Sequence, residues 1–186
     1  MKRILLLAAM LVTAGCLAIP LRAQETMKME PKPALSSSAA LLAEWNDIGR
    51  RLIAIAEDTP EDKYDYKPKP EMRSWVGQLA HAAQGNYFFI NPAQGKPDPS
   101  DDPDMSQLKT RAQVVAFVKK SFDDGAAVIK AQGDSGMART VKSGNQMIRI
   151  DALAYDLVGH ANNHYGQIVV YYRLNGLVPP ESRPKK

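Results

Sequence analysis

The sequence predicts an all-α fold, a four-helix bundle built as one domain. Three observations carry this. Four stretches place apolar residues every three or four positions, the period of a helix with one buried face. Each stretch opens near Ser, Thr or Asp and closes near Gly, Asn or Pro, the residues that start and stop helices. The connections are rich in Pro, Gly and Asp, and only one short segment before the last helix alternates enough to suggest strands. A chain of 186 residues, 45% hydrophobic and 7% aromatic, suits one such domain.

Residues 1–23 stand outside it. Lys2-Arg3, an apolar run from Ile4 to Ala18, and a small residue at Ala23 read as a secretory signal peptide cleaved after Ala23. The run is too short and wrongly flanked for a membrane span. Thr13-Ala14-Gly15-Cys16 offers a second reading, a lipoprotein box with a lipid anchor at Cys16. Either way the protein is expected to be exported, periplasmic or secreted. Lys2, Arg3 and Arg22 supply three of the four net positive charges, so the chain after Ala23 carries only +1. A near-neutral domain has no electrostatic footprint for nucleic acid. The only cysteine is Cys16, which excludes an internal disulfide, a thiolate nucleophile or a Cys-based metal site in the mature chain.

Residues 24–36 read as a flexible tether. Leu41, Trp45, Ile48, Leu52 and Ile55 then define a first helix over residues 37–57. Residues 59–73 hold three prolines and form a connection whose Tyr64 and Tyr66 are expected to pack across the bundle end. Ser74 caps a second helix that runs to Ile90, before Asn91-Pro92. Residues 91–109 form a surface loop. Its Asp98, Asp101, Asp102 and Asp104 lack the order of a calcium loop and read as solvated. Thr110 and Gln113 fit a capping box for a third helix, residues 111–132, ended by Gly133. Residues 136–150 read equally as a short hairpin around Ser143-Gly144-Asn145 or as an irregular loop. Asp151 is the expected N-cap of the last helix, which Asn175-Gly176 and Pro179-Pro180 stop.

The chain has three histidines, His81, His160 and His164. His160 and His164 are four apart, so their rings lie one above the other on one helix face. That face continues the apolar series Leu153, Leu157, Ile168, Tyr171. Two imidazoles at this spacing can reach one ion. His81 lies two turns into the second helix, with Gly77 and Gly85 four residues to either side. Each glycine costs about 1 kcal/mol in a helix relative to Ala, which suggests that space is wanted there. A lone histidine on an apolar face is usually a hydrogen-bonded core residue. All three together on inward faces point instead to a metal site built between facing helices. Three neutral imidazoles leave coordination positions open, the catalytic rather than the structural arrangement, with a metal-bound water as nucleophile or base. Such a site suits Zn or Ni first, and also Fe, Co or Mn. Gln167 is a candidate for the pocket lining, or only for a bond to a helix neighbour. Asp156, four before His160, is a candidate acceptor orienting that ring, or an ordinary first-turn acid.

The same residues carry a resemblance. His160-x-x-x-His164 followed by Tyr165-Gly166-Gln167, then Arg173-Leu174-Asn175-Gly176 and Val178-Pro179-Pro180, resembles the C-terminal helix of the DinB/YfiT-like family of metalloenzymes. The connection over residues 60–74 is similar to that family's too. The resemblance covers residues 37–183 and implies a DinB-like four-helix bundle running up-down-down-up. It implies a divalent metal on one histidine of the second helix and two of the last, here His81, His160 and His164. It also implies a metal-dependent enzyme, hydrolase-like or thiol S-transferase-like, acting on a small molecule, and a homodimer. The alternative is a non-catalytic metal- or small-ligand-binding module.

Overall fold

The computed structural model describes residues 33–184. The signal peptide, Cys16 and most of the tether lie outside the described residues. The chain is mostly helical: α1 (Ser37–Asp58), α2 (Trp75–Gly85), α3 (Tyr87–Ala93), α4 (Arg111–Met137) and α5 (Ile150–Leu174), with one hairpin, β1 (Thr140–Ser143) and β2 (Gln146–Arg149). Because α2 and α3 are two parts of one broken rod, these make four helical columns. Among the described residues no helix is long and apolar enough to cross a membrane.

The helix ends follow side-chain chemistry. Ser36 accepts from the backbone N–H of Ala39, Ser74 from Gly77, and Thr110 and Gln113 close a reciprocal capping box. Three sequence expectations need correction. The second helix breaks at Asn86, whose buried amide donates to Ser121 Oγ at 3.0 Å, and then resumes through Pro92 to Ala93. Gly133 does end the long run of the third helix, with a non-helical φ of 56° and ψ of −171°, but a further helical turn to Met137 follows the kink. Asp151 is not an N-cap. Arg149 holds that position, and Asp151 sits in the first turn paired with the Arg149 guanidinium. The acids of the loop are exposed, as expected, yet three of them also fasten it: Asp98 accepts from Gly144 N at 2.9 Å, Asp102 binds His81 and Arg73, and Asp104 accepts from Ser106 N.

Of the two readings of residues 136–150, the structure takes the hairpin. Ser143 pairs with Gln146, leaving Gly144-Asn145 as a two-residue turn. Gly144 supplies the positive φ, 54°, that such a turn needs at its first position.

α1 packs along α4, and α2 along α5. Trp45 centres the first pair. It is fully buried, donates Nε1–H to Phe122 O at 2.9 Å, and meets Phe89 and Phe122 with ring centroids 5.4 and 5.5 Å away. The second pair is set at one end by aromatics, as expected for the bundle-end tyrosines. Trp75 stacks on Tyr171 at 6.1 Å, Tyr66 meets both edge-on, and Tyr171 OH donates to Arg73 O at 3.0 Å. This cluster fixes the register of α2 against α5, and that register brings the three histidines level. The C-terminal residues are tied back to α1 by Glu181 on Arg50 and Arg183 on Asp58.

Candidate metal centre

The histidines of α2 and α5 meet. Contacts along the two helices run in opposite directions: Trp75 with Tyr171, Gln78 with Gln167 and His164, His81 with His164 and His160. Ring centroids are 4.3 Å apart for His160–His164, 4.8 Å for His81–His164 and 5.3 Å for His81–His160. One ring nitrogen from each lies within 4.8 Å of the other two. Among the described residues no fourth His, Cys, Asp or Glu joins the group.

Each ring has a different partner. His81, with its side chain 16% exposed, directs Nδ1 at Asp102 Oδ1 (2.8 Å) and Asp101 O (3.1 Å). Both are acceptors, so Nδ1 carries the proton and a neutral His81 offers its Nε2 lone pair. Arg73 donates Nε–H to the same carboxylate at 3.2 Å. Burial raises the Asp102 pKa, but the bonds from His81 and Arg73 prevail and hold it below the usual carboxylate value. His164, 7% exposed, has Nδ1 2.6 Å from Gln78 Nε2 and Nε2 3.0 Å from His160 Nε2. His160 Nδ1 is buried with no hydrogen-bond partner among the described residues.

The closeness of α2 and α5 depends on Gly85. A Cβ there would lie 2.5 Å from His160 Cε1 and 2.8 Å from its Nδ1. Gly77, the other glycine flanking His81, plays no such part, since a Cβ there would meet the capping Ser74 Oγ at 3.1 Å. Replacing Gly85 by Ala should therefore displace the His160 ring. Divalent-metal affinity, measured by competition with a chromogenic chelator, is expected to fall about tenfold or more, the scale on which ligand orientation acts. Helix content should be retained, because Ala is the better helix former.

The two α5 rings are held toward the neutral form. Burial, then the neighbouring His160, His81 and Arg73, lower His164 to about 4. Burial, then His81 and Arg73, also lower His160. Metals bind the unprotonated imidazole. Two closely facing ring nitrogens, a third ring held in the tautomer that offers its lone pair, and depressed basicity together fit a divalent cation. The sign for stability follows. A histidine whose folded pKa lies below its unfolded 6.5 contributes stability that is full above 6.5 and is lost as pH falls toward 4. The metal-free protein should thus lose thermal stability between pH 6.5 and 4, and a His164→Gln variant should show a flatter profile over that interval.

The structure brings together all three predicted ligands. Asp156 is exposed and makes no bond to His160, so it is not an orienting acceptor. Gln167 does reach the site's edge, accepting from Gln78 and donating to Asn163 Oδ1 at 3.3 Å. Two residues were missed. Asp102 touches His81 across 21 residues and Gln78 touches His164 across 86, separations at which no local pattern operates.

A helical protein with three convergent histidines between two helices is the class that fold and site define. The chain matches the DinB superfamily model over residues 44–168, well over half its length. It belongs to that superfamily. Its fold is similar to that of a DinB-like protein from Bacillus subtilis, with TM-score 0.62 and 17% identity, covering 78% of this chain and 99% of that one. A DinB-like protein from Bacillus cereus is similar at TM-score 0.61 and 15% identity, covering 75% and 93%. Among curated proteins none matches.

Proposed function

We propose that this is an exported metal-dependent enzyme of the DinB superfamily, a bundle running up-down-down-up behind a cleaved signal peptide, acting on a small molecule as a homodimer. His81, His160 and His164 would hold the ion. The observation that carries the reading is that three imidazoles converge while no fourth His, Cys, Asp or Glu joins them among the described residues. Zn or Ni suits this donor set best. A divalent ion bound there supplies Lewis-acid polarisation and acidifies water toward neutral pH.

The chain's own residues do the rest. Asp102 holds His81 by its Nδ1 proton and is itself balanced by Arg73. Gly85 lets His160 approach. Low ring basicity keeps protons from competing for the nitrogens at neutral pH. The chemistry expected is hydrolysis or thiol S-transfer.

One observation favours the second reading, a non-catalytic metal holder. Asp102 is the carboxylate bonded to the triad among the described residues, and it is already engaged by His81 and Arg73. Metal analysis of the purified protein, followed by turnover assays on ester, amide and electrophilic substrates with and without added thiols, separates the readings. Stoichiometric metal with metal-dependent turnover supports the enzyme. Metal without turnover supports the holder, and absence of metal contradicts both.

A further inference from the structure

We propose that Gln78 is a positioning residue that sets the tautomer of His164, and that metal binding is coupled to a half-turn of its amide. The coupling rests on the metal reading above. Gln78 is 3% exposed and sits between the two helices. Its Nε2 lies 2.6 Å from His164 Nδ1 and also donates to Gln167 Oε1. An amide nitrogen can only donate. His164 Nδ1 therefore accepts, and in the neutral ring the proton sits on Nε2. That proton points at His160 Nε2, 3.0 Å away. His160 accepts it, so its own proton is on Nδ1, where it is buried without a partner.

The three rings are thus unequal. His81 already offers an Nε2 lone pair, because Asp102 and Asp101 O fix its proton on Nδ1. His160 has its Nε2 lone pair as well. His164 alone is held in the tautomer that blocks its inward nitrogen. Its Nδ1 is taken by Gln78, so Nε2 is the atom it has left to give. Turning the Gln78 amide presents Oε1 to His164, which then carries its proton on Nδ1 and frees Nε2. The ring's net proton count does not change: one proton leaves Nε2 and one arrives at Nδ1. Gln167 must turn with Gln78 to donate to the same oxygen, and Asn163 must turn with Gln167. The chain ends at Asn163, which is exposed, where water satisfies either orientation. The relay thus joins a buried ligand to solvent.

The test is imidazole 15N–1H correlation spectroscopy on the histidine-labelled protein, with and without one equivalent of Zn(II). Without metal, His164 should show Nε2 protonated and Nδ1 bare; with Zn(II) the pattern should invert. Zn(II) affinity should fall about tenfold or more in Gln78→Leu, which offers Nδ1–H no acceptor, as for other partners of ligating histidines. It should match or exceed wild type in Gln78→Glu, whose carboxylate only accepts. That variant should also show His164 protonated on Nδ1 before any metal is added. A wild-type spectrum with Nδ1 protonated in the absence of metal overturns the proposal, whether or not the variants fold. So does a Gln78→Leu protein that binds Zn(II) as wild type does. If wild type binds no Zn(II), the metal reading and the coupling fall together, while the metal-free spectrum still decides whether Gln78 sets the tautomer.

Discussion

Replacing His160 by Ala is expected to remove the bound divalent metal from the protein. His160 Nε2 faces His164 Nε2 at 3.0 Å and its ring lies within 5.3 Å of His81, so it links the two helices' contributions. Loss of one of three ligands leaves two rings and no fourth group among the described residues to replace it. The affinity should drop by more than about 100-fold, beyond the range seen when only a ligand's supporting partner is lost. Elemental analysis of both proteins purified alike should show about one ion per chain in wild type and background in the variant. The fold should persist, because His160 is only half-buried and the α2–α5 register is fixed by Trp75 and Tyr171. Circular dichroism run alongside separates loss of ligand from loss of structure.

Replacing Trp45 by Ala should cost about 3–5 kcal/mol of stability, the range for a large aromatic removed from a closed core. Three features put Trp45 at the upper part of that range. It is fully buried, its indole N–H pairs with Phe122 O, and its ring packs on both Phe89 and Phe122. Its ring lies against α4 at Gly125, where a Cβ would fall 2.1 Å from Trp45 Cζ2. The converse change, Gly125→Ala, adds only a methyl group but drives it into that ring. It should destabilise by about 1–3 kcal/mol through overpacking, against its gain in helix propensity. Urea unfolding followed by circular dichroism measures both. A Trp45→Ala protein within 1 kcal/mol of wild type on an order-of-magnitude scale would mean that this contact does not organise the core.

How much of this was legible in the sequence depends on distance along the chain. The caps Ser36, Ser74 and Thr110 act on residues three positions away, and their signals survived folding intact. The i, i+4 histidines were equally local. His81 could be joined to them because the chain has only three histidines and all fall on inward faces. The break at Asn86 was not readable, since it is stabilised by Ser121 on another helix. Nor was the fastening of the acidic loop, whose Asp102 looked like any other loop carboxylate until α2 presented His81 to it. Asp151 misled because the hairpin ladder delivers the chain straight into α5, with Ile150 N bonded to Arg139 O, so the cap position falls two residues earlier than composition suggests. Gly77 and Gly85 looked equivalent about His81. Only the packing distinguishes the one that serves a cap from the one that admits a ring.

X-ray absorption at the metal edge, on protein loaded with one equivalent of Zn(II), tests the central claim most directly. The account predicts three imidazole nitrogens at about 2.0–2.1 Å together with at least one exchangeable oxygen. A shell with one imidazole or none, or a shell filled by protein carboxylates, would contradict it.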